Sequence, residues 1–160
     1  MVAGITLDDS ESIDCSVVIN AAGPYFKAVG ALMGVDLPVE TEVHLKVAFE
    51  DTMHQIPREA PLLIWNDPQE LAWSDDERAL FATDTSYAHL TQRFPAGAHT
   101  RPEGGPDGAT ILMLWDYRRH VIDPVFPVPL DDQYPEIVLR GLAAMVPGLL
   151  YTIGALFLKE

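Results

Sequence analysis

The sequence predicts an α+β fold, and three observations support that prediction. Residues 40–49 alternate apolar and polar side chains with a period of two, which is typical of a strand with one buried face. Residues 134–146 place apolar side chains at helical spacing, with Pro135 and Glu136 in the first turn. The elements run in the order strand pair, helix, several strands that look antiparallel, and helix. This order favours an α+β class.

The first predicted elements are a hairpin and a short helix. Residues 5–7 form a strand end, residues 8–12 a polar turn, and residues 13–20 the returning strand. Its Val-Val-Ile run at 17–19 is apolar on both faces, which indicates a strand covered on both sides. Small residues follow, and they let a backbone or a ligand come close. They are Ala21, Ala22, Gly23 and Pro24.

The remaining elements continue the sheet. After a helix at 25–34 and the alternating strand at 40–49, two further strands are predicted at 61–65 and 110–115. Each ends in a tryptophan followed by polar residues. Residues 75–81 are predicted to form a short acidic helix, and residues 95–108 a loop rich in glycine and proline.

Charge and cysteine content exclude several functional classes. The 160 residues contain 10 Lys and Arg against 24 Asp and Glu, so the formal net charge is −14. This balance argues against nucleic-acid binding and against an anionic membrane surface. The single cysteine, Cys15, excludes an internal disulfide framework and a multi-cysteine zinc site. We therefore predict a reducing, cytoplasmic compartment, with Cys15 as a small core residue.

The only stretch that raises the question of a membrane lies near the C-terminus. Residues 141–158 carry no charge, but Pro147 and Gly148 interrupt them and would break a spanning helix. We therefore favour no membrane span, and predict a buried helix, a break and a second apolar segment.

Residue patterns alone give few candidates for chemistry. None of the five histidines lies three or four residues from another, so no helical metal pair is predicted. His44 stands on the polar face of the alternating strand, where a surface histidine is the alternative interpretation. Trp65 and Trp115 each end a predicted strand. Their rings either pack in the core or line a binding site. The small-residue turn at 21–24 follows a strand and opens a helix, as in sites that bring a backbone against a dinucleotide.

Three segments read together resemble a known family. Residues 5–9, residues 13–25 with the string Val-Val-Ile-Asn-Ala-Ala-Gly-Pro-Tyr, and residues 34–39 with Leu-Pro-Val match the flavin-dependent oxidoreductases of the D-amino-acid oxidase, glycine oxidase and sarcosine oxidase type. The resemblance implies FAD as cofactor and oxidation of an amine or amino acid, with hydride transfer to the flavin. It implies that the turn at 21–24 approaches FAD and that a sheet covers the substrate. His44, Trp65 and Trp115 are the expected substrate contacts, while no catalytic residue is assigned.

The sequence also departs from that family. It contains no Gly-x-Gly-x-x-Gly motif, and it ends in an apolar segment where the family has a glycine-rich strand and helix. We therefore expect a truncated member, inactive alone, with an incomplete FAD-binding part at 1–38, a substrate domain at 39–146 and an apolar tail at 147–160. Self-association or a complementary chain would then complete it. The alternative is a non-enzymatic binding or interaction module derived from the same fold.

Overall fold

The computed structural model of the chain describes residues 3–151, which form two compact units. The first unit comprises residues up to 42 together with 121–126, and the second comprises residues 43–120 and those from 127 onward. The fold mixes helices with antiparallel sheets, as the predicted α+β class requires. All the buried apolar side chains of the described chain belong to the second unit.

The first unit begins with a small hairpin. Strand β1 (Gly4–Thr6) pairs antiparallel with β2 (Ser12–Asp14). A 3-10 turn (Gly23–Tyr25) then leads directly into helix α1 (Phe26–Leu32). Within this unit, a short antiparallel bridge pairs residues 41–42 with residues 121–122.

The predicted strand at 13–20 is wrong beyond Asp14. Residues 15–20 have no strand partner, and the side chains of Val17 and Ile19 are 72% and 85% exposed. A Val-Val-Ile run is buried on both faces only where neighbouring elements cover both faces. Gly4, the first residue of β1, lies opposite Asp14, so the regular pairing of β1 does not extend to residues 17–19. Cys15 is accordingly half-buried and is not a core residue.

The second unit contains a four-stranded antiparallel sheet. Its strands are β3 (Val47–Glu50), β4 (Leu63–Trp65), β5 (Ala98–Pro102) and β6 (Thr110–Leu114), in the order β3-β6-β5-β4. The predicted alternation is confirmed in β3, where half-buried residues alternate with exposed ones. Residues 40–46, predicted to belong to the same strand, lie outside it.

Strand β5 lies inside the segment predicted to be a loop. Residues 95–108 do contain a turn at Gly97, whose φ is +107°. Between that turn and the glycines at 104 and 105, residues 98–100 pair with β4 and residues 99–102 pair with β6. Pairing on two sides therefore outweighs the local preference of a Gly- and Pro-rich sequence for a loop.

Two helices flank the sheet. Helix α2 (Asp75–Phe81) has the predicted bounds, and Ser74 and Glu77 cap its start reciprocally. Helix α3 (Tyr134–Leu142) begins as predicted but ends four residues before residue 146. It packs on β5 and β6 through a buried apolar stripe. That stripe includes Ile137, Val138, Leu139 and Leu142.

Within the described chain, 3–151, no helix combines the length and apolar character needed to cross a bilayer. The predicted apolar tail at 147–160 lies partly outside the described residues.

Candidate functional site

The candidate site begins where the ladder between β3 and β6 stops. Val47 pairs with Met113, so two more residues of regular pairing would place Leu45 opposite Trp115. Instead, the side chain of Tyr134 occupies this position. Its hydroxyl donates to the carbonyl oxygen of Leu45 at 2.6 Å and accepts from the backbone N–H of Trp115 at 3.0 Å. A residue from α3 thus replaces one rung of the sheet.

Beyond Tyr134, the chain that leaves β6 contains extra residues. The N–H of Val43 donates to the carbonyl oxygen of His120 at 3.0 Å, whereas regular pairing would place Val43 opposite Tyr117. Three extra residues therefore bulge out of the strand pair between the Tyr134 bridge and this bond. Bulges of this kind re-aim side chains and are common beside active sites.

This bulge opens a cleft of about 580 Å³ within the second unit. Its walls come from residues 43–45, residues 114–118 and residues 129–134, with His99 and His120 completing the lining. We call this space the bulge cleft. Its size is that of a small-molecule site.

An aromatic cluster forms one wall of the bulge cleft. The ring centroids of Phe94 and Trp115 lie 5.2 Å apart, those of Trp115 and Tyr117 5.6 Å apart, and those of Tyr117 and Tyr134 5.9 Å apart. The indole N–H of Trp115 also donates to the carbonyl oxygen of Pro95 at 3.2 Å. Because each ring is in contact with the next, this wall is rigid.

One histidine–carboxylate contact and one ion pair contribute polar groups to the bulge cleft. Nε2 of His44 lies 3.8 Å from Oδ2 of Asp116, and Nη2 of Arg118 lies 3.4 Å from Oδ2 of Asp131. The hydroxyl of Tyr117 donates to the same oxygen of Asp131 at 3.4 Å. All these side chains are partly exposed, so the charges face solvent where a ligand would enter.

Both cleft tyrosines are held in the neutral form. Burial raises the pKa of Tyr117, and the negative charge of Asp131 raises it further, although Arg118 acts in the opposite direction. Burial likewise raises the pKa of Tyr134, and its hydrogen bond from Trp115 only partly offsets this effect. At neutral pH both hydroxyls therefore remain hydrogen-bond donors.

The structure brings together two of the three predicted substrate contacts. His44 and Trp115 both line the bulge cleft. Trp65 ends β4, at the far edge of the sheet from β3, and is not among the lining residues. It is half-buried against the core, and its indole N–H is buried with no hydrogen-bond partner among residues 3–151.

Most of the polar groups of the bulge cleft come from residues that were not predicted from the sequence. Asp116, Tyr117 and Arg118 come directly after β6, and Asp131 and Tyr134 come from the segment that starts α3. The available signal was the polar string that follows Trp115 at a strand end. Its partners near residue 131 could not be paired with it without the fold.

The predicted cofactor turn at 21–24 lies in the first unit. Its backbone is fixed by Asn20, whose Oδ1 accepts from the N–H of Ala22 at 3.2 Å and whose Nδ2 donates to the carbonyl oxygen of Phe26 at 2.8 Å. Gly23 has a φ of +55°, and no atom lies within 4 Å of the position that a Cβ would take. Ala21, Gly23 and Pro24 are exposed.

This turn does not make a complete site for FAD. It offers an open backbone to a ligand, but the helix after it has only seven residues and the sequence has no Gly-x-Gly-x-x-Gly to hold the pyrophosphate. Val17 and Ile19, which precede the turn, are exposed where a dinucleotide domain would bury them. The described residues thus show an open turn at 21–24 without the other elements that a dinucleotide site needs.

Comparison of the chain with protein-family models, with curated proteins and with solved structures gave no match.

Proposed function

We propose that this chain supplies the substrate-binding part of an FAD-dependent oxidoreductase, and that the bulge cleft takes a small amine or amino acid. The observation that carries the proposal is the bulge cleft itself. It combines carboxylates, a guanidinium group and an aromatic wall in a volume suited to a small ligand. The resemblance of residues 5–9, 13–25 and 34–39 to D-amino-acid oxidase-type proteins supplies the reaction class.

The residues of the cleft have distinct parts in this proposal. The carboxylate of Asp116 would accept hydrogen bonds from a ligand ammonium group, and the half-buried side chains of Leu114 and Tyr117 would cover its carbon atoms. The Tyr134 hydroxyl would act as a positioning group, because it holds Leu45 and Trp115 apart. FAD binding is not assigned to the described residues, since the turn at 21–24 forms only part of a site.

The first test measures ligand binding to the cleft. The purified chain is titrated with small amines and amino acids while tryptophan fluorescence is recorded. We expect a saturable change that persists in Trp65→Phe, whose ring lies outside the cleft, and that is lost in Trp115→Phe. Absence of any saturable change with either class of ligand would refute the proposal.

A second candidate is a binding module without redox chemistry. The incomplete flavin site at 21–24 and the exposed side chains of Val17 and Ile19 favour it. Both candidates predict little FAD retention by the chain alone in gel filtration, so anaerobic reduction of added FAD by a bound amine separates them. We expect no retained flavin from the chain alone. Ligand binding that is unchanged by FAD, with no anaerobic flavin reduction by any bound amine, would favour the module.

A further inference from the structure

We infer that the bulge cleft selects an organic cation, a primary alkylamine, over an amino acid that carries a carboxylate on the same carbon. This inference rests on the ligand-binding role proposed above and narrows its substrate class. Both ligands would bring an ammonium group to the cleft, so the inference concerns only whether the cleft accepts or repels the carboxylate of the amino acid.

The charge balance of the cleft opposes a second negative charge. Its lining contains three carboxylates, from Asp116, Asp131 and Asp132, against the one guanidinium group of Arg118, with the histidines counted as neutral. The whole chain adds to this field with its net charge of −14. A cation is attracted into such a cleft, and an anion is repelled from it.

The guanidinium group that could bind a ligand carboxylate already has an anionic neighbour. Arg118 lies 3.4 Å from Asp131, whose Oδ2 also accepts from the Tyr117 hydroxyl and whose Oδ1 accepts from the N–H of Gln133 at 3.0 Å. These bonds hold the Asp131 carboxylate in place. A ligand carboxylate would therefore have to share Arg118 with a fixed negative charge.

The other carboxylate has room for an ammonium group. The Asp116 side chain is about half exposed, and the Nε2 atom of His44 lies 3.8 Å from its Oδ2, beyond hydrogen-bond distance. A carboxylate offers about four acceptor positions, so Asp116 can accept from a ligand while His44 remains beside it. An ammonium group there gains a charge-assisted hydrogen bond.

The remaining wall suits an alkyl chain. Three lining residues present apolar or aromatic surface beside these charges: Leu114, Tyr117 and Pro129. Burial of each methylene group of an amine against such surface contributes roughly 0.8 kcal/mol. The Tyr117 ring also attracts a cation through its face. An alkylamine uses all of these features, whereas an α-carboxylate uses none of them.

Three probes of similar size test the inference. Propylamine, 2-aminobutanoate (propylamine with a carboxylate on the carbon that bears nitrogen) and butanoate are titrated into the full chain by calorimetry. We expect propylamine to bind at least about tenfold more tightly than 2-aminobutanoate, which is roughly 1.4 kcal/mol, and butanoate not to bind. Added salt should weaken propylamine binding, because screening reduces the attraction.

A variant identifies the group responsible. Asp116→Asn should weaken propylamine binding about two- to fivefold. Asp67→Asn, at an exposed position outside the lining of the cleft, should leave it unchanged, and circular dichroism confirms that each variant is folded. Equal or tighter binding of 2-aminobutanoate, or propylamine binding that is indifferent to Asp116→Asn, would overturn this inference and leave the proposed function standing. No binding of propylamine or 2-aminobutanoate would overturn both.

Discussion

Replacing Gly141 with alanine tests how closely α3 approaches the sheet. A Cβ at residue 141 would lie 2.3 Å from Cζ3 and 2.7 Å from Cε3 of Trp115. Non-bonded carbon atoms prefer about 3.5–4.0 Å, so either the ring or the helix has to move. The ring is 2% exposed, and its N–H donates to Pro95. Movement therefore disturbs the aromatic wall of the cleft.

The expected magnitude is a balance of two effects. Alanine is favoured over glycine in a helix interior by about 1 kcal/mol. Overpacking of a well-packed core costs typically about 1–3 kcal/mol, and a clash with a buried indole ring belongs at the upper end of that range. We therefore expect Gly141→Ala to lower the free energy of unfolding by about 2 kcal/mol, with a fall in Tm of roughly 2–4 °C per kcal/mol.

Urea denaturation measures this change, with Gly148→Ala as a matched control. The three atoms nearest to a Cβ at residue 148 all belong to the flexible side chain of Gln55, which can turn aside, so we expect a change within about 0.5 kcal/mol. Trp115→Phe removes the ring atoms in the clash, so Gly141→Ala should cost less in that background, with a coupling energy of about 1 kcal/mol. A Gly141→Ala variant more stable than the parent, or strict additivity with Trp115→Phe, would refute the close approach.

Four further results are expected. Tyr134→Phe should lower stability by about 1–3 kcal/mol in urea unfolding and weaken ligand binding, because the hydroxyl bridge is lost; unchanged binding would contradict its positioning role. The raised pKa values of Tyr117 and Tyr134 stabilise the fold fully below their ordinary value, about 10. This stabilisation is lost as pH rises above that value, so the tyrosinate absorbance of Tyr117 and Tyr134 at 295 nm should appear only when the chain unfolds. Ionisation of these two residues at a pH below that of unfolding would argue against their burial. Asp51→Ala should cost about 1–3 kcal/mol, because this 2%-exposed carboxylate accepts from two backbone N–H groups; a near-neutral thermal melt would contradict this. Ser74→Ala should cost about 1 kcal/mol in a thermal melt, since it breaks the capping box with Glu77, and Asp76→Ala, which leaves that box intact, should cost less.

Elements that depend on local patterns could be predicted from the sequence. The bounds of α2 follow from Ser74 and Glu77, whose side chains close the first turn. The alternation at 47–50 follows from a sheet with one buried face, and Pro135 and Glu136 mark the start of α3. In each case the residues that fix the element lie within a few positions of it.

Features that depend on distant partners could not be predicted. The bulge cleft exists because Tyr134 reaches Leu45, 89 residues away, and Trp115, 19 residues away. Strand β5 exists because two other strands pair with it, although glycines flank it. For the apolar run at 17–19, a buried strand was predicted where none forms. Its composition could not show that no element of the described chain covers its faces.

The bulge beyond Tyr134 has a consequence for how this fold can change over evolutionary time. The bond between Val43 and His120 closes the strand pair again after the extra residues, so the length of the insertion does not determine the register of β3 and β6. Residues 118–119 can therefore change charge, and the segment can lengthen after Tyr117, while the sheet keeps its pairing. Such a segment allows new ligand preferences to be tried at little risk to folding, and it is the natural place to insert a randomised loop in directed evolution.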